Sequence, residues 1–168
     1  MLLKSKDVAY LGVLLGLNQL FIILSSVIET NTIILMAAAA LIVGTVIVEF
    51  GGKSGIVFYV ASCILGFLLT FNKIEIITYI CFFGLYSIIK HYIETKIINL
   101  YISYSIKIAF YNASLLLMYL IARLFIDFTL HWWMILAAQV LFIVYDYGFT
   151  IFINSYINTI KPKLKRKS

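Results

Sequence analysis

Long apolar runs, each closed by a few polar residues, divide the chain into six segments. They cover residues 8–28, 32–48, 55–71, 72–90, 100–126 and 132–157. Each is near the roughly 20 residues that a helix needs to cross a hydrocarbon core. The breaks carry turn and charge signals: Glu29-Thr30-Asn31, Phe50-Gly51-Gly52-Lys53-Ser54, Asn72-Lys73, and 127–131. The segment after Lys90, His91 to Lys96, is amphipathic and is expected to lie at an interface. The first run is too long for a signal-peptide core and lacks a small-residue cleavage site, so it reads as a retained span. The pattern predicts an all-α polytopic membrane protein, a compact bundle of six transmembrane helices. It forms a single domain over residues 1–160 with a basic tail at 161–168.

Composition agrees with that pattern. Of 168 residues, 64% are hydrophobic and 12% charged, about half the charge fraction of an average soluble domain. The net charge of +6 comes mostly from Lys161, Lys163, Lys165, Arg166 and Lys167; without these five the chain carries +1. A basic tail beside a last span sets topology or meets anionic lipid, and no nucleic-acid-binding module accompanies it. Ten Lys and Arg fall on the side of the two termini, the 50–54 turn and the 90–96 segment. Only Lys73 and Arg123 fall opposite, with Lys107 inside the fifth span. The positive-inside bias puts both termini in the cytoplasm and Trp132-Trp133 at the outer interface.

Soluble-type chemistry is missing from the pattern. Cys63 and Cys81 lie within apolar runs without metal or disulfide spacing. His91 and His131 fall on opposite sides of the membrane. No phosphate loop, nucleophile elbow or carboxylate pair is present. No catalytic residue, metal site or cofactor is expected, and the chain does not read as an enzyme.

Polar residues at membrane depth carry more information, because each is costly unless paired or hydrated. Lys107 lies about 10 Å into the fifth span and Asp146 about 14 residues into the sixth, at comparable depth. A pair between them would fix the two helices. Glu49, Tyr86, Lys90 and Asn112 join them as an intramembrane polar cluster in the middle to cytoplasmic half. Tyr79, Phe83, Tyr86 and Lys90 share one helical face of the fourth span. Toward the outside, Asn31, Asn72, Lys73, Tyr79, Tyr119, Arg123, Trp132 and Gln139 mix aromatic and hydrogen-bonding groups as a small-molecule pocket does. Ala9, Gly12 and Gly16 form a small-residue stripe on the first helix, suited to close approach by another helix.

These features resemble the S components of energy-coupling-factor transporters, and more narrowly an S-component-like group from low-GC Gram-positive bacteria. The matching pieces are Glu49-Phe50-Gly51, Asn72-Lys73, Phe82-Phe83-Gly84-Leu85-Tyr86 running to Lys90, Asn112, and Tyr145-Asp146-Tyr147. Ser87 stands where the resemblance leads to proline, so the helix is expected to be straighter there. The resemblance implies a substrate-binding subunit in the bacterial plasma membrane. It would capture a small vitamin-like nutrient outside and work with a separate coupling subunit and ATPase pair. Ala9, Gly12 and Gly16 would meet the coupling subunit. The alternative is a membrane scaffold of similar fold that serves cell-envelope assembly. An intramembrane enzyme acting on lipid or isoprenoid would need catalytic residues that the chain does not offer.

Overall fold

The computed structural model describes residues 5–70, 72–124 and 131–162. The 127–130 part of the expected loop and the 163–168 part of the basic tail lie outside them. Among the described residues there are six helices long and apolar enough to cross a membrane. They are α1 (Ser5–Val27), α2 (Thr32–Phe50), α3 (Gly52–Leu69), α4 (Lys73–Lys96), α5 (Leu100–Arg123) and α6 (Trp132–Ile160). The chain divides into two compact units, Met1–Met118 and Tyr119–Ser168.

Within the first unit, α2 is central. It touches α1, α3 and α4, and α1 also packs on α3. Residues 42–47 of α2 are buried all round the helix, as expected of an element that is apolar on every side. Ile42, Val43, Val46 and Ile47 join Phe58 of α3 and Ile88 of α4 in one core, against which Leu11, Leu14 and Leu15 of α1 pack. Ala39 and Ala40 are fully buried one turn earlier, where short side chains let neighbouring helices come close.

Turn chemistry sets the joints. Gly51 has φ +84°, a conformation that costs little only for glycine. It lets α3 start one residue after α2 ends, and its N–H bonds to Ile47 O at 2.8 Å. At the other end of the unit, Asn72 caps α4. Its Oδ1 accepts from Ile74 N at 3.2 Å and its Nδ2 donates to Glu75 Oε1 at 2.8 Å. Lys73 Nζ donates to Phe67 O at 2.6 Å and Thr70 O at 2.8 Å, closing the last carbonyls of α3.

The fourth helix runs unbroken through Lys96, so residues 91–96 continue the helix of the fourth span. It also contains a π-helical turn at Tyr79–Phe83, in which Gly84 N bonds to Tyr79 O. Such a turn leaves backbone carbonyls without helical partners. Two side chains occupy them: Tyr59 OH donates to Ile80 O at 2.7 Å, and Ser114 Oγ to Cys81 O at 3.2 Å. Across Ser87 the helix is regular, and Ser87 Oγ donates to Ala40 O at 2.8 Å. Serine here joins α4 to α2.

The first part of α5 lies along α4. Tyr111 meets Phe82 edge-on at 5.2 Å, and Phe110 stacks on Tyr86 at 6.2 Å. In the second unit, α6 holds Tyr145 and Phe149 edge to face at 6.0 Å, one turn apart. Its last turn, Tyr156–Ile160, is again π-helical.

Candidate functional site

The most developed polar site lies inside the first unit, on four helices. Asn18 and Gln19 of α1, Ser62 of α3 and Tyr79 of α4 are each 5% exposed or less. Helical spacing puts Asn18, Ile22 and Ser25 on the buried face of α1. On α3 the corresponding line is Phe58, Ser62 and Gly66, with Thr70 following at the C-cap. Tyr79 opens the π turn of α4.

The hydrogen bonds among Asn18, Ser62 and Tyr79 fit one consistent set of donors. Ser62 Oγ donates to Asn18 Oδ1 at 2.5 Å. Asn18 Nδ2 donates to Ala39 O at 2.8 Å and Tyr79 OH at 3.1 Å. With the Ser62 proton committed, the 3.0 Å contact between the two hydroxyls must be Tyr79 OH donating to Ser62 Oγ. The three side chains therefore close a ring in which each donates to the next. Gln19 Nε2 braces it, donating to Ser62 O at 3.0 Å and lying 3.2 Å from Asn18 Oδ1. In an apolar interior such a ring holds helices in register, because every alternative leaves a polar group unpaired.

Beside the ring, three buried oxygens are left without protein partners. Gln19 Oε1, Thr70 Oγ1 and Glu75 Oε2 are buried atoms without a hydrogen-bond partner. Gly66 sits among them: a Cβ there would lie 3.6 Å from Gln19 Oε1 and 2.5 Å from Ile76 Cδ1. Thr70 is the extended residue that caps α3, and Glu75 precedes Ile76 on α4. Thr70 is 2% exposed. An unpaired buried polar group costs about 1–3 kcal/mol, so each of the three calls for a partner, water or solute, that the protein does not supply.

A second polar group lies toward the 97–99 end of α4. Glu94 Oε1 accepts from Lys90 Nζ at 3.0 Å and from Lys107 Nζ at 2.7 Å. Both lysines are 3% exposed or less, whereas the Glu94 side chain is 42% exposed. Lys90 also lies 5.9 Å over the Tyr86 ring and Lys107 5.2 Å over that of Tyr104. The carboxylate joins α4 to α5 and neutralises charge where desolvation is expensive.

The residues expected to matter from sequence fall into distinct places. Tyr79 is in the ring. Asn72 and Lys73 cap α4 and α3, and Asn31 is exposed in the short turn before α2. Tyr119, Arg123, Trp132 and Gln139 belong to the second unit, where Arg123 and Trp132 are exposed. Of the expected polar cluster, Lys90 and Lys107 meet at Glu94 and Tyr86 packs beside them. Glu49 is half-buried, with Oε1 unpartnered. Asn112 donates back to Ile108 O at 2.9 Å on an exposed face, and Asp146 lies on α6 in the second unit. Ala9, Gly12 and Gly16 are exposed along α1, and nothing lies within 4 Å of a Cβ built on either glycine.

Asn18, Gln19, Thr70 and Glu94 are additions to the sequence reading. Asn18-Gln19 is a neutral polar pair in the middle of an otherwise apolar span, which is itself a signal once uncharged groups are weighed with charged ones. Among the described residues no cluster of His, Cys, Asp and Glu is placed to hold a metal ion. Comparison with protein-family models, curated proteins and solved structures finds no match for this chain.

Proposed function

We propose that this chain is the solute-capturing subunit of an energy-coupled importer, S-component-like in its working. It sits in the bacterial plasma membrane with both termini cytoplasmic and binds a small vitamin-like nutrient from outside. A separate coupling subunit and ATPase pair supply the energy. It is a binding subunit and not an enzyme.

The observation that carries this reading is the set of buried, unpartnered oxygens beside the polar ring. Gln19 Oε1, Thr70 Oγ1 and Glu75 Oε2 lack donors, in the end of the first unit that also holds Asn31, Asn72 and Lys73. The positive-inside bias favours that end as the outer one. Two of the three atoms are neutral, so the ligand that fits them offers hydroxyl, amide or ring N–H donors and needs no full charge. The ring of Asn18, Ser62 and Tyr79 forms the rigid floor. The exposed stripe of Ala9, Gly12 and Gly16 supports the coupling role, since a partner helix can approach its backbone closely.

The test is mass spectrometry of small molecules released from protein purified out of its native membrane. Uptake is then measured with and without a coupling module. A donor-rich compound retained in stoichiometric amount, and lost in Gln19→Leu, supports the reading. If no compound is retained, no panel vitamin binds and an envelope-assembly protein co-purifies stoichiometrically, the scaffold reading replaces it.

A further inference from the structure

A second feature of the first unit borders the Ala9, Gly12 and Gly16 stripe and concerns the chain when no coupling subunit is bound to it. Between α1 and α3 runs an open apolar groove of about 430 Å³, with walls from Leu11, Leu15, Val57 and Phe58 and a floor opened by Gly12. Lys53 and Ser54 stand at one end, where α3 begins. Lys53 is exposed, and no carboxylate among the described residues lies within ion-pair distance of it.

We propose that this groove is a seat for an anionic phospholipid, with one acyl chain between α1 and α3 and its phosphate on Lys53 and Ser54. From Val8 to Leu15 the groove extends about 10 Å along α1, most of the ~15 Å depth of one leaflet. The positive-inside bias puts Lys53 at the cytoplasmic surface, the anionic side of a plasma membrane. An apolar slot of leaflet depth ending in an unpaired ammonium is complementary to a lipid with one negative headgroup. Neither a soluble anion nor a neutral lipid uses both parts. Asp7 in the first turn of α1 and Glu49 at the end of α2 are the nearby acidic groups. Neither pairs with Lys53, so the ammonium remains available to the phosphate.

The test uses full-length protein in nanodiscs of equal parts phosphatidylglycerol and phosphatidylcholine, released gently into a native mass spectrometer. Retained phosphatidylglycerol should exceed retained phosphatidylcholine at least fivefold, one lysine at the membrane surface contributing about a factor of five. Lys53→Gln should lower the ratio about fivefold, leaving only what the other basic residues contribute, while total retained lipid stays constant. Gly12→Leu, which has open space for its side chain, should reduce retention of both lipids by filling the slot. Two results would overturn the proposal: an unselective ratio in the parent protein, or a preference that Lys53→Gln leaves unchanged. A far-UV circular dichroism spectrum unchanged in both variants separates loss of the seat from loss of fold.

Discussion

Replacing Tyr79 by phenylalanine removes one oxygen from a fully buried ring and leaves the aromatic packing in place. The hydroxyl accepts from Asn18 Nδ2 at 3.1 Å and donates to Ser62 Oγ at 3.0 Å. Without it, Ser62 still donates to Asn18 Oδ1, so that bond survives. Asn18 Nδ2 retains Ala39 O for one of its two hydrogens; the other is left without an acceptor. Two bonds are lost, each worth about 0.6 kcal/mol between membrane helices, and one buried N–H is orphaned, costing about 1 kcal/mol or more. The expected destabilisation is about 2 kcal/mol, roughly a thirtyfold change in the unfolding equilibrium. Equilibrium unfolding in mixed micelles with increasing dodecyl sulfate measures it. Ser62→Ala opens the same ring from another side, so the two substitutions should be non-additive by at least about 0.5 kcal/mol. A cost below 0.5 kcal/mol for Tyr79→Phe, or strict additivity with Ser62→Ala, would show that the ring does not act as a unit.

Other perturbations address the remaining parts of the account. Gly84→Ala places a Cβ 2.7 Å from the Tyr59 ring and 3.0 Å from Tyr79, so it should cost about 1–3 kcal/mol by overpacking; Gly16→Ala, in open space, should be near neutral in the same unfolding assay. Glu94→Gln removes the carboxylate common to Lys90 and Lys107 and should cost about 1–2 kcal/mol, discounted for the exposure of Glu94. In a background with Cys63 and Cys81 replaced by alanine, a cysteine at Asn31 should react with an impermeant maleimide from outside intact cells. One at Lys53 should react only after lysis, and the reverse pattern would invert the topology.

The apolar rhythm of the chain carries most of the architecture. Six spans follow from length and hydropathy, and two joints are visible as Gly51 and Asn72, residues whose backbone and side-chain chemistry suit a left-handed turn and a helix cap. The π turn has no such signature. It depends on Tyr59 and Ser114, from two other helices, reaching carbonyls that a regular helix would keep to itself. Glu94 was hidden for a related reason. A hydrophilic run after Lys90 reads as an interface, and only the continuity of α4 shows that its carboxylate meets Lys107 thirteen residues later. Asn18 and Gln19 were readable in principle, being polar at membrane depth, but charge draws attention first. Their partners were not readable, because Ser62, Ala39 and Tyr79 converge only through packing of four helices. Asn72 and Lys73 were legible as polar groups at a span boundary, yet their contacts are local helix capping.

The central claim is that the unpartnered oxygens of Gln19, Thr70 and Glu75 take up a donor-bearing solute. The most direct measurement is the small-molecule content of the protein purified from its native membrane, compared with the Gln19→Leu and Thr70→Val variants. The account predicts one compound per chain, rich in hydroxyl or N–H donors, retained by the parent protein and reduced at least tenfold in each variant. About 1.4 kcal/mol, within the range for one hydrogen bond, is enough for that reduction. Folded protein with no retained compound, or a compound held equally by all three forms, would contradict it.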